Sequence, residues 1–188
     1  MAVLSPFCKI PMSSTLTVPA QIKFDEAIEL TQTFLIQLKK NELTASQIQD
    51  FVAALVQTAN GARGFFVTYL TASDPICDEP RSEIIAALQA NPGIAADLLV
   101  KNVAMSTAQK LYHQRRNDSD MMASSATVAT RTTNIIHQLN LPQIQEMCRD
   151  LVATIQTGTG TYGEFLTRWG YDEEQKNAIA QVVSELGV

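Results

Sequence analysis

The feature that most constrains this chain is a unit that occurs twice. The run Gln57–Thr71, QTANGARGFFVTYLT, returns as Ala153–Thr167, ATIQTGTGTYGEFLT. The register is constant. Gln47, Ile48 and Gln49 recur as Gln143, Ile144 and Gln145, and Leu55, Val56 and Thr58 as Leu151, Val152 and Thr154. Gly64, Leu70 and Thr71 recur as Gly160, Leu166 and Thr167. The apolar pattern repeats as well. Ile48, Phe51, Val52, Leu55, Val56 and Ala59 form a stripe at helical spacing, and so do Ile144, Met147, Cys148, Leu151, Val152 and Ile155. Each stripe follows a cap pattern, Thr44-x-x-Gln47 and Asn140-x-x-Gln143, in which a side-chain oxygen meets the free amides and Gln reaches back. We therefore expect an internal duplication, residues 44–90 and 140–186.

The remaining periodicity is helical too. A helix is expected from about Ile22 to Lys40, with Phe24, Ala27, Ile28, Thr31, Leu35 and Leu38 on its core face. Phe65–Leu70 is β-prone in isolation, but its second copy places Tyr162, Phe165, Leu166 and Trp169 at helical spacing. Both copies are read as short helices entered through a glycine turn, at Gly61/Gly64 and at Gly158/Gly160. Asp78-Glu79 and Asp172-Glu173 read as matching helix starts. Two long helices separate the copies, one from Ile94 to about Asn117 and one from about Ser119 to Leu139. The core stripe of the first is Val100, Val103, Ala104, Thr107, Ala108, Leu111 and Tyr112. A single bent helix through Asn117–Asp120 is the competing reading. The expectation is an all-α single domain of seven or eight helices over residues 21–188, built as a duplicated unit around long central helices. Residues 1–20, with Pro6, Pro11 and Pro19, read as an extended arm that Leu4, Phe7 and Ile10 are able to dock.

Composition excludes several function classes. With 46% hydrophobic residues in 188, the chain is able to bury a sizeable core. Its net charge of −5 argues against a general nucleic-acid binder. Cys8, Cys77 and Cys148 make neither a CxxC pair nor a disulfide framework, so a reducing cytoplasm is expected. No apolar run reaches membrane-spanning length, and Pro6, Lys9 and Pro11 interrupt any signal-peptide pattern.

Candidate chemistry is sparse. Gly158-x-Gly160-x-x-Gly163 spells a dinucleotide fingerprint, yet that motif needs a preceding strand, and here an amphipathic helix precedes it. A helix cap and turn explains it better. Lys101, Asn102, Gln109, Lys110, His113, Arg115 and Arg116 lie on the first long helix, with Asn102, Gln109, His113 and Arg116 on one stripe. They form either a solvated face with cations at a helix C-terminus or a site gripping an anion or acidic partner. Arg63, between Gly61 and Gly64, either caps carbonyls or holds an anion. His113 and His137 fit no zinc pattern, Asp118 and Asp120 no calcium loop, and no G-x-S-x-G occurs. Catalytic residues, cofactor and metal are all read as none.

Gly61-Ala-Arg-Gly-Phe-Phe-Val-Thr-Tyr-Leu, Val100-Lys-Asn-Val-Ala-Met-Ser-Thr and Arg115-Arg-Asn resemble a group of short, uncharacterised cyanobacterial proteins over about residues 43–139. The resemblance implies a cytoplasmic bacterial protein and carries no activity.

The leading functional expectation is a non-enzymatic protein-interaction or regulatory module, with a protein partner or self-association as a homo-oligomer. The alternative is a small-ligand or anion-binding domain, or an enzyme on such a ligand, using Arg63 and the polar face over 94–117.

Overall fold

The computed structural model describes residues 16–187, which are all-helical and form one domain. Among these described residues the helices are α1 (Phe24–Lys39), α2 (Ala45–Leu55), α3 (Ala59–Thr71), α4 (Ser82–Ala90) and α5 (Pro92–Arg115). Then follow α6 (Ser119–Leu139), α7 (Pro142–Thr157), α8 (Gly163–Trp169) and α9 (Glu173–Leu186). That is nine, one more than the upper expectation. The docking of Leu4, Phe7 and Ile10 falls outside the described residues, as does Cys8.

The long helices α5 and α6 are separate and form a central hairpin. Asn117, at φ 54°, turns the chain between them, and the Asp118 carboxylate accepts from the Met121 amide to cap α6. Helix α1 lies on α3, α2 on α4, α7 on α9, and α9 also covers α5. Because neighbours surround α5, Ala95, Ala96, Leu99, Val100, Val103, Ala104 and Ala108 are all buried rather than one narrow stripe. Tyr112, expected in the core, is 44% exposed, since it lies beyond the last buried turn. On α1 the expected core residues Ala27, Thr31 and Leu38 are buried, but the face is not wholly the expected one. Phe34 is fully buried, while Phe24 stands half exposed.

Local chemistry sets the helix ends. Thr44 and Gln47 make the anticipated capping box on α2. The corresponding Asn140 does not cap α7. It takes a left-handed conformation that closes α6, and α7 starts at Pro142 with no side-chain cap. Asp172 caps α9 through the Gln175 amide, but Asp78 starts no helix, because it is engaged by Arg131.

The glycine turn is right for one copy only. Gly158, at φ 76°, terminates α7 in the left-handed conformation that an L side chain resists. Gly61 and Gly64 instead lie inside α3. A Cβ on Gly64 would stand 2.4 Å from the Ala27 Cβ, so this glycine is what lets α1 and α3 cross so closely. Thr58 makes the turn in their place, its hydroxyl accepting from the Gly61 amide.

Arg131 sits on the core side of α6, only 4% exposed. Its guanidinium donates to the Leu70, Ala72 and Asp74 carbonyls at 3.1, 2.6 and 3.2 Å and to Asp78 Oδ1 at 2.8 and 2.6 Å. One side chain thus closes the C-terminal end of α3 and fixes the loop beyond it.

Gly64→Ala is expected to destabilise the fold by about 1–3 kcal/mol in urea unfolding, because α1 and α3 must separate. Gly163→Ala meets nothing within 4 Å and is expected to be neutral or slightly stabilising. Arg131→Met keeps the apolar stem but leaves carbonyls unsatisfied, and a loss of at least about 1–3 kcal/mol is expected. An unchanged unfolding midpoint would mean that water replaces the guanidinium without cost.

Candidate functional site

A groove of about 670 Å³ lies between α3 and α8, floored by α5 and α6. Phe66, Val67 and Leu70 line the α3 wall, and Tyr162, Phe165 and Trp169 the opposite one. Leu98, Met105 and Val128 form the apolar floor, and Phe24 closes the α1 end. Phe66 and Leu70 are buried because α3 turns that face inward, whereas α8 spans only Gly163–Trp169 and leaves its aromatic side partly uncovered.

Polar groups interrupt this apolar surface. Lys101 Nζ lies 2.6 Å from Asp97 Oδ2 one turn earlier on α5, and 5.8 and 6.0 Å from the Tyr162 and Phe165 ring centres. Burial, then the neighbouring Asp97 charge, pushes the Tyr162 hydroxyl far above the ordinary phenol range, so it stays protonated. The Arg63 guanidinium stands 5.2 Å over the Phe24 ring. Arg168 and Glu164 extend from α8, and Asn102 from α5.

The anticipated site residues divide into two groups. Arg63, Lys101 and Asn102 line this groove together. Arg63 does not take the expected carbonyl-capping role, since Phe24 holds it from the neighbouring helix. Gln109, His113, Arg115 and Arg116 lie towards the other end of α5 and do not line it. Between Lys101 and Arg115 the helix rises by roughly 21 Å, so the single polar stripe is two separate regions.

In that second region both arginines have partners within the chain. Arg115 donates to Asp172 and Glu174, both contacts at 2.5 Å, joining the end of α5 to the start of α9. Arg116 stands 5.3 Å over the Tyr112 ring. His113 Nδ1 is buried without a hydrogen-bond partner, 3.8 Å from Asp118, and Gln109 is half-buried.

Sequence reasoning placed Phe24 on a core face rather than on a rim and gave the α8 aromatics no part in a site. It also missed Arg168 as a groove cation. The available signal was the shortness of the Tyr162–Trp169 segment, since an aromatic helix of two turns has too little neighbouring structure to cover it. The Gly158–Gly163 loop borders a separate pocket of about 210 Å³, walled by Tyr171 and Lys176, with Lys176 held 2.9 Å from Glu173. Burial raises the Cys77 and Cys148 thiols to about 11, so neither is a ready thiolate. Among the described residues no three His, Cys, Asp or Glu side chains gather as a metal site requires, and no single helix is long and apolar enough to cross a membrane.

A family model described as "Uncharacterised conserved protein UCP020893" matches residues 23–186. The chain belongs to this family. Its matched span takes in the whole of the groove from Phe24 to Trp169, and the description carries no activity. No curated protein and no solved structure matches the chain.

The α5–α9 clamp gives a pH prediction. Arg115, and then the Gln175 amide, hold the Asp172 carboxyl down from 3.8 to about 2. A carboxylate depressed in the folded state contributes stability that is present above the unfolded value and lost as pH falls through the folded one. Asp172→Asn preserves an N-cap oxygen while removing the charge. The variant is expected to melt below the wild type at neutral pH, and the gap is expected to close between about pH 4 and pH 2. A gap that is constant with pH would show that the ion pair contributes nothing.

Proposed function

We propose that this protein is a non-enzymatic binding module and that the groove between α3 and α8 is its binding surface. The observation that carries this reading is a clustering of exposed apolar side chains. Six large hydrophobic residues are exposed among the described residues, and Phe24, Val67 and Trp169 stand together around this groove at 37%, 42% and 44% exposure. Scattered surface apolar residues are ordinary, but a contiguous patch with polar side chains at its edge marks an interaction surface. Nothing in the groove pairs an activated nucleophile with a base, and its one strongly shifted group, Tyr162, is driven towards inertness.

The alternative, a small-ligand or anion site, draws on the same place, since Arg63, Lys101 and Asn102 share the groove. The proposed duplication fits this reading, because the counterpart of α3 in the second unit, residues 155–167, takes in the first five residues of α8, and α3 and α8 supply the two walls. Cysteine usage and the acidic balance support a cytoplasmic setting, and the resemblance supports a cyanobacterial source. A homo-oligomer would use the same apolar rim.

The chain has one tryptophan, and it lies on the groove rim. Titration with an uncharged solvatochromic dye such as Nile red, read by dye emission and by Trp169 quenching, tests the surface directly. Val67→Asp is expected to weaken dye binding at least about tenfold, since it buries a charge in the apolar contact. Ile36→Asp changes a side chain that is more exposed still and lies away from the groove, and it is expected to leave binding unchanged. Equal effects of the two variants would remove the groove from the functional argument.

A further inference from the structure

The groove's shape and charge narrow what enters it; this rests on the reading just given. We infer that the occupant is an amphipathic helix of a partner protein that carries acidic residues beside its apolar stripe.

The backbone of the walls decides the conformation. Both are α-helices, whose amides and carbonyls point along the helix axis rather than across the groove, and no strand or sheet edge occurs among the described residues. An extended segment laid here would find no main-chain partners and would bury unpaired peptide groups. A helix satisfies its own backbone and needs only side-chain packing from the groove. The dimensions agree. The floor from Asp97 to Met105 and the wall from Arg63 to Thr71 each run about 12 Å, which seats two turns and their i, i+3/i+4 and i+7 anchors. Met105 in the floor is an unbranched, adaptable side chain able to fill gaps against different anchors.

The rim argues for a macromolecule over a small molecule. Phe24, Val67 and Trp169 carry the apolar surface out of the concavity and onto its edges. A compound sunk between the walls would leave these three wet, whereas a helix bridging the walls covers all of them.

Charge gives the sequence preference. Of the three cations, Lys101 is neutralised by Asp97. Arg63 and Arg168, on opposite walls, form no ion pair among the described residues. The aromatic contact of Arg63 with Phe24 uses none of its N–H donors. Against them stands one unpaired acid, Glu164. The groove is therefore locally cationic in a chain of net charge −5, and a carboxylate arriving on either flank of a docked helix meets a guanidinium suited to grip it.

The experiment is an unbiased selection. A displayed library of random peptides of about 18 residues, long enough for five helical turns, is panned on the wild-type protein and counter-selected on Val67→Asp. The expected winners place apolar residues at i, i+3/i+4 and i+7 with Asp or Glu on the flanks. A synthetic winner is expected to shift Trp169 emission, to gain helical circular dichroism on binding and to displace Nile red. Its affinity is expected to fall at least about tenfold on the Arg63→Ala/Arg168→Ala double variant, because charge-assisted bonds are lost. Winners that are proline-rich, lysine-rich or without helical spacing overturn the inference, as does unchanged affinity on the double variant. A wild-type dimer in sedimentation that Val67→Asp converts to monomer also overturns it, making the occupant a second copy of this chain. If Nile red binds in a Val67-dependent way but no selected peptide competes, this inference falls and the groove remains. If Nile red is indifferent to Val67→Asp, the groove itself is lost.

Discussion

The Arg131 guanidinium is the interaction on which the positioning of the rest depends. A helix leaves its last carbonyls without partners, and a loop that turns back against the core risks burying more of them. After α3 the chain meets this difficulty within a few residues, at Leu70, Ala72 and Asp74. A single planar cation answers all three carbonyls from the side of α6, and Asp78 balances its charge. The loop is thereby tied to the central hairpin, and α3 inherits a fixed angle over α5 and α6. Since α3 is one wall of the groove, the spacing of that groove is set by a residue that does not line it.

The other wall is placed by a different device. Gly158 stops α7 in a left-handed conformation, α8 runs for two turns, and Gly170, at φ 60°, stops it again. The segment is short, and Phe165 and Trp169 line the groove without being fully covered. The central helix makes this possible by its composition. Ala95, Ala96, Ala104 and Ala108 let α6 and α9 approach closely, and the larger Leu98 and Met105 face the uncovered flank. The groove is the remaining space where a long helix has more sides than the chain has helices to cover.

Much of this architecture was legible in periodicity. Helical spacing of apolar residues disclosed the all-α class and most of the helices, and the Thr44–Gln47 box and the Asn117 turn were readable as local chemistry. What sequence did not disclose were consequences of tertiary approach. Gly64 reads as a turn residue because glycine usually is one, and only the 2.4 Å clearance to Ala27 reveals a packing role. Asn140 reads as an N-cap, but the preceding helix claims it first. Arg131 was passed over because a lone arginine on an apolar face gives no sign of which carbonyls will meet it. The candidate site was half legible. Arg63, Lys101 and Asn102 do come together, while Phe24, Arg168 and Trp169 join them only because α1 and α8 converge on α3 and α5.

The cations illustrate how position decides between fold and function. Arg115 and Arg63 are equally plausible anion ligands in sequence, each beside small or polar residues on a helix. Arg115 faces the N-terminus of α9, where Asp172 and Glu174 are already concentrated by capping and by the helix dipole. Its charge is thereby used within the molecule. Arg63 lies over the Phe24 ring, and Arg168 stands on the far wall one turn beyond Glu164 without forming an ion pair with it among the described residues. In a chain with more acidic than basic groups, two exposed arginines are left without an ion pair beside an apolar trough. Such an arrangement is physically coherent when the missing carboxylates arrive with the surface that covers Phe24, Val67 and Trp169.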